Sequence, residues 1–380
     1  MHEASIKRSL FISDNLVLFL ILGNFKYAIQ KDSPVKFKID EAKPFKLFPC
    51  CVSVRGFSRS VIYDLNRSEF CYIPNDLHDL LDRFDGESVR SIKSCLGVHA
   101  GARIDEYIRF LVKHEYVWFD DSLDELKRMP PIDTNFSTPA EISNAIFQIE
   151  NTPNVEIKKM VKDLSMLGCR DILIVFYSKP KLALIKEVLN QFENSSFKSI
   201  ELLIRFDERL KESELHELVN QYRRIRKLVI YGSPKLRKAR DFAFGMNGIV
   251  FIPRIITHSL YSSIANTTSF RVNIDFFSEA KNYNPYVNKK VVIDISGNLK
   301  NAPNMDEEHG NFNLKPISEV ISDDRFRNLW NIKKDEIAVC KDCEYRYMCL
   351  DNRIPVKKDG EWQHDTPCLY DVYSGKWAQK

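Results

Sequence analysis

Asp171-Ile172-Leu173-Ile174-Val175-Phe176-Tyr177 decides the fold. An acid is followed by six apolar residues without alternation. A strand with one wet face would alternate, so this run reads as a strand buried on both faces, the signature of a parallel sheet covered by other elements. The flanks agree. Residues 155–167 form an amphipathic helical pattern that Gly168 ends, and 181–192 form another. Further out, 199–206 and 227–231 read as strands around a helical 212–222, with 145–149, 248–252 and 270–276 as additional strand candidates. Strands and helices alternating at this spacing imply βα units. About six strands predict an α/β fold with a partial (β/α) barrel over 139–285. Asp171, Asp207 and Glu208 fall near strand ends, where barrel sites gather, although each fits a cap or surface charge as well. No glycine-rich phosphate fingerprint, HExxH or GxSxG occurs, and Ser374-Gly375-Lys376 has no helix after it.

Before the barrel, residues 44–130 read as three short strands and three helices. The strands are 47–54, 60–65 and 70–73. The helices start at Pro74-Asn75-Asp76, at Ser88, and around Ile104, Tyr107, Ile108, Leu111 and Val112; Tyr116-Val117-Trp118-Phe119 closes the unit. This order predicts a small winged-helix domain. The third helix mixes Arg103, Arg109 and Lys113 with Asp105 and Glu106, which argues against a DNA-reading surface. Residues 1–43 fit no module. Their apolar run 16–23 is shorter than the ~20 residues a span requires, and 23–26 make a poor cleavage site. The expectation is a cytoplasmic protein with no membrane and no nucleic-acid partner; a net charge of +4 agrees with the latter.

After the barrel, 286–380 starts with a hairpin at 291–298 and a helix over 316–330, then carries Cys340-Lys-Asp-Cys343-Glu-Tyr-Arg-Tyr-Met-Cys349 and Cys368. The other cysteines (Cys50, Cys51, Cys71, Cys95, Cys169) are scattered among apolar neighbours and read as small buried hydrophobes. Clustered cysteines in a chain without a secretion signal point to metal. Cys340, Cys343, Cys349 and Cys368 are therefore the candidate metal and cofactor ligands. Four thiolates suit a 4Fe-4S cluster or Zn²⁺ by count alone. His364 offers a Cys₃His alternative. Tyr345, Arg346, Tyr347 and Trp362 are candidates to line a peptide groove or to shield the metal.

Two stretches resemble known families. "YDLNRSEFCYIP" with "IDEYIRFLVKHEYVWF" is similar to PqqD-like domains, which bind a precursor's leader peptide as an added strand. The C-x₂-C-x₅-C run with a distant Cys, "PCLY" and "SGKW" resembles the SPASM-domain peptide maturases of grasp-with-spasm systems. That resemblance implies a loop-rich, cysteine-ligated SPASM domain over 286–380, a ribosomal precursor peptide and an ATP-grasp ligase as partners. It also implies one auxiliary 4Fe-4S cluster on the four cysteines. A second cluster's ligand positions correspond to Ala302 and Arg353, which do not ligate iron. The related radical-SAM enzymes carry C-x₃-C-x₂-C after the first barrel strand; here 150–158 has no cysteine, so no S-adenosylmethionine is expected. The readings left open are a leader-binding scaffold, a redox or other modifying enzyme, and a zinc-stapled interaction module.

Overall fold

The computed structural model describes residues 39–240, 248–257 and 270–378. The apolar run 16–23 and most of the N-terminal extension lie outside them.

The first module contains β1 (Phe45–Leu47), β2 (Cys51–Arg55), β3 (Ser60–Asp64), β4 (Glu69–Ile73) and β5 (Val117–Phe119), with helices Asn75–Arg83, Val89–Leu96 and Gly101–Lys113 between β4 and β5. The single strand expected over 47–54 is two strands. Pro49 has no N–H to continue a ladder, and the Cys51 amide turns back to the Phe48 carbonyl at 2.7 Å. β2, β3 and β4 form a three-stranded meander, while β1 pairs with β5. The Ser88 hydroxyl accepts from the Ser91 amide at 3.2 Å and caps the second helix. The meander has two working faces. Cys51, Ile62 and Ile73 meet the helices. Val54, Val61 and Tyr63 pack against Tyr345, Met348, Tyr370 and Val372 of the C-terminal module.

The large sheet has eight strands. β6 (Asn144–Ile149), β7 (Asp171–Phe176), β8 (Ser199–Arg205), β9 (Ile225–Tyr231) and β11 (Gly248–Ile252) run parallel in chain order. β10 (Arg237–Arg240) lies antiparallel outside β11. On the other side β12 (Lys290–Ile293) joins β6 in parallel and β13 (Leu299–Lys300) folds back on it. Helices Ile157–Met166, Leu182–Asn190 and Glu212–Gln221 contribute their apolar stripes to one core with the outward residues Phe147, Ile174, Leu202 and Ile230. The opposite face holds a second core of Ile146, Leu173, Val175, Leu203, Val229 and Tyr231. Strands in sequential order with their crossover helices on one face give a barrel-like curve, not a doubly wound sheet. The α/β expectation holds as a mixed fold with a large parallel-rich sheet.

Three local expectations are corrected. The hairpin expected to open the C-terminal module completes the large sheet: Val291 and Ile293 face the helical core and Val292 the inner one. Residues 270–276 are not a strand, because the Asn273 side chain accepts from the Phe276 amide at 2.9 Å and starts helix Ile274–Asn282. The helix expected over 316–330 is broken into Ile317–Ile321, Asp324–Arg327 and a 3₁₀ turn Asn328–Asn331, since Asp323 caps a new start by accepting from the Arg325 amide.

Gly168 ends helix Ile157–Met166 at φ 83°. The Cys169 amide reaches the Leu164 carbonyl at 2.9 Å and the Gly168 amide reaches Ser165 at 3.1 Å, the paired bonds of a Schellman cap. A Cβ here would stand 2.9 Å from the Ala140 Cα. Gly168→Ala combines left-handed strain with that clash and should lower unfolding free energy by about 1–3 kcal/mol. Urea unfolding followed by circular dichroism measures it; an unchanged midpoint would contradict this account of the cap.

Candidate metal centre

The four cysteines arrive from three short segments. Cys340 begins the 3₁₀ turn Cys340–Asp342 and Cys343 ends it. Cys349 follows the next turn, and its backbone bridges to Phe270. Cys368 lies between β15 (Glu361–His364), which pairs with β14 (Pro355–Lys358), and β16 (Tyr370–Asp371), which pairs with β17 (Lys376–Trp377). The structure brings all four to one cavity, lined also by Phe270, Lys334, Arg346, Asp351, Arg353 and Trp377. Val339, just before Cys340, has φ 68°, a costly conformation for a β-branched residue. Its neighbours hold it there: the Ala338 amide bonds the Trp362 carbonyl at 2.7 Å and the Lys341 amide bonds Ile337 at 3.0 Å.

Four thiols on one cavity suit Zn²⁺ or an iron–sulfur cluster by donor type. Around one zinc ion with ~2.3 Å bonds, tetrahedral sulfurs stand about 3.8 Å apart. Among the described residues, ligand triples whose atoms all lie within 4.8 Å of one another include no three of these cysteines. The same spacing groups Cys340 with Asp351 and His364, so spacing is compatible with one zinc ion as well as with a cluster. The cavity measures about 30 Å³, where a single water needs roughly 10–15 Å³. Two backbone amides donate to the ligand sulfurs: Tyr345 to Cys343 Sγ and Tyr370 to Cys368 Sγ, both at 3.4 Å. Burial pushes the Cys340 thiol up to about 11 and that of Cys349 up to about 12, with the Lys334 ammonium opposing in both cases.

Cations surround the cavity. Arg353 is buried and grips Asp351 through Nε (3.0 Å) and Nη2 (2.5 Å), and Lys334 Nζ lies 3.7 Å from the same carboxylate. Burial alone would raise Asp351, but Lys334 and Arg353 hold it well below the usual carboxylate range. Position 353, where the family resemblance puts a second cluster's ligand, thus holds a paired guanidinium; Ala302 is fully buried in the main core. His364 groups with Cys340 and Asp351. Its Nε2 is 3.3 Å from Asp351, and burial pulls its pKa down to about 4. Tyr345 and Arg346 line the cavity; Tyr347 and Trp362 do not. Tyr347 instead donates to Asp335 at 2.6 Å.

The barrel-end candidates go elsewhere. Asp171 begins β7, at the end opposite the usual barrel site. Asp207 is bound by Arg209, which holds its pKa down to about 2, and Glu208 is exposed. Cys169 is buried beside the start of β7, away from the first βα loop.

The N-terminal meander clamps the cysteine loop, a contact that the sequence reading missed. The Glu344 side chain is fully buried, and its Oε1 accepts from Arg59 Nε at 2.8 Å and Tyr370 OH at 2.5 Å. Arg59 also donates to Tyr345 OH at 2.7 Å and lies 3.7 Å from the centre of the Tyr72 ring. Tyr63 OH donates to the Glu344 carbonyl. Gly56 comes so close that a Cβ would stand 2.9 Å from the Glu344 amide. No motif marks Arg59 or Glu344; the sequence signal is a lone acid among the aromatic, cationic and apolar residues between Cys343 and Cys349.

Fold and site define a mixed α/β chain on a parallel-rich sheet, with four cysteines around one cavity. No family model and no curated protein matches it. Among solved structures it is similar to Streptococcus suis SuiB, with 10% identity, a TM-score of 0.30, and coverage of 80% of this chain and 94% of that one. SuiB bound to precursor peptide SuiA matches at 10% identity and a TM-score of 0.25, over 80% and 94%. Escherichia coli MccB with AMPCPP and MccA matches at 9% and 0.17, over 50% and 62%. Likeness this distant assigns neither a substrate nor a chemistry.

Glu344→Gln removes the charge that holds Arg59. The expected loss is about 2 kcal/mol, less than the ~3–5 of a fully buried pair because Arg59 is partly exposed. Gly56→Ala, which forces the two backbones apart, should cost about 1–3 kcal/mol. Chemical unfolding reads both; neutral results would mean that the clamp carries no stability.

Proposed function

We propose that this chain is a peptide-maturation protein that works with an ATP-grasp ligase on a ribosomally made precursor. In this reading it binds the precursor's leader and carries one 4Fe-4S cluster on Cys340, Cys343, Cys349 and Cys368, without radical-SAM chemistry. The carrying observation is the convergence of the four thiols on one cation-rimmed cavity. When bound, the cluster supplies folding free energy to a region with strands of only two to four residues. The resemblance of 286–380 to SPASM domains and of 44–130 to PqqD-like domains supports the rest. β4 is an outer strand of its meander, paired only with β3 among the described residues. An extended leader there would gain main-chain bonds, with alternate side chains setting register. Cytoplasmic location belongs to the same proposal; among the described residues no helix is long and apolar enough to cross a membrane.

Protein purified without oxygen should contain about four irons and four sulfides per chain, and Cys343→Ser should lose both. One zinc and no iron would replace this reading by a zinc-stapled module. A precursor encoded beside the gene should bind through its leader and be modified only when the ligase and ATP are added. Modification by this chain alone would overturn the scaffold role.

A further inference from the structure

A second group of metal-ligating side chains lies in the first module, on the helix-facing side of the meander. Cys50 and Cys51 are adjacent in sequence, and Asp64 sits directly across the ladder from Cys51. One ligand atom from each lies within 4.8 Å of the other two. This upper bound accommodates the ~3.8 Å between donors around a tetrahedral zinc. Cys51 and Asp64 are buried and Cys50 is half-buried. The Leu65 amide bonds the Cys50 carbonyl at 2.9 Å, which fixes the turn against the end of β3.

The carboxylate is already oriented. Asp64 Oδ1 accepts from the amides of Asn66 (3.1 Å) and Arg67 (2.8 Å). Its Oδ2 pairs with the Arg67 guanidinium at 3.3 Å. Arg67 has other partners in Glu115 and the His114 carbonyl, so it can yield Oδ2 without being stranded. Burial, then the neighbouring Cys50 and Asp64, push the Cys51 thiol up, and Arg67 opposes them. Burial, then the nearby Cys71, Cys51 and Asp64, also push the Tyr116 hydroxyl up.

We propose that Cys50, Cys51 and Asp64 bind a zinc ion, two thiolates and one carboxylate with a fourth position left to water. Two soft ligands and one hard one suit this borderline-soft ion. The ion staples the turn before β2 to the end of β3 and releases the thiol protons on binding. This site is independent of the proposed cluster.

The test uses the full chain with its C-terminal centre filled, titrated with zinc against a competing chelator dye. Cadmium, read by its thiolate charge-transfer absorption, reports the donors. Wild type should bind one more ion per chain than the Cys50→Ser/Cys51→Ser variant, with the C-terminal metal content the same in both. Asp64→Asn keeps both thiols and should bind at least about tenfold more weakly. Equal stoichiometry in wild type and the double variant would overturn the proposal. So would an intact mass showing Cys50 and Cys51 joined in a disulfide in the native protein.

Discussion

The Glu344 carboxylate is the point on which the C-terminal half is hung. It is fully buried between two cysteine-bearing turns, and a charge there survives only with compensating donors. Those donors come from a different part of the chain: Arg59, at the tip of the β2–β3 turn, supplies the guanidinium, and Tyr370 supplies a hydroxyl. The loop between Cys343 and Cys349 is therefore held in part by the meander docked on it. The same contact closes a core, in which Val54, Val61 and Tyr63 pack with Tyr345, Met348, Phe277 and Val272.

Around this clamp the cysteine module is short of regular structure. It uses two-stranded ribbons, a strained Val339 and buried ion pairs on Asp351. Each is marginal by itself: a two-stranded ribbon is weakly stable in water, and a buried pair contributes little net energy. Their agreement on one cavity is what makes the site. Arg353 and Lys334 bring positive charge to a place where four thiolates would otherwise repel, and Asp351 keeps the two cations from repelling one another.

The large sheet was legible because burial on both faces leaves uninterrupted apolar strands. The run 171–177 could be read in no other way, and the Gly168 stop was equally clear. The errors came where side chains outrank propensity. Residues 270–276 look like a strand, but Asn273 satisfies an amide and starts a helix. Asp323 breaks what reads as one helix for the same reason. The hairpin at Val292 was seen, but its partner β6 lies far away in sequence, and pairing across such a distance leaves no local trace. The cysteine quartet was plain from spacing. Its cationic rim was not, because Lys334 and Arg353 look like any surface charge until tertiary structure buries them. Cys50 and Cys51 were read as apolar filler, since the carboxylate that gives them meaning comes from the next strand.

The margins of the large sheet have a consequence for how this chain behaves in a crowd. Its outermost strands are brief, and one of them reads Arg-Lys-Ala-Arg. Short, basic borders repel the border of another copy, so the most adhesive surface of the fold is fenced against polymerisation. β4, with Glu-Phe-Cys-Tyr-Ile, has no such fence. The fold thus has two kinds of margin among the described residues: the large sheet is bordered by short or basic strands that discourage a second copy, and the meander leaves one side of β4 open to an extended chain.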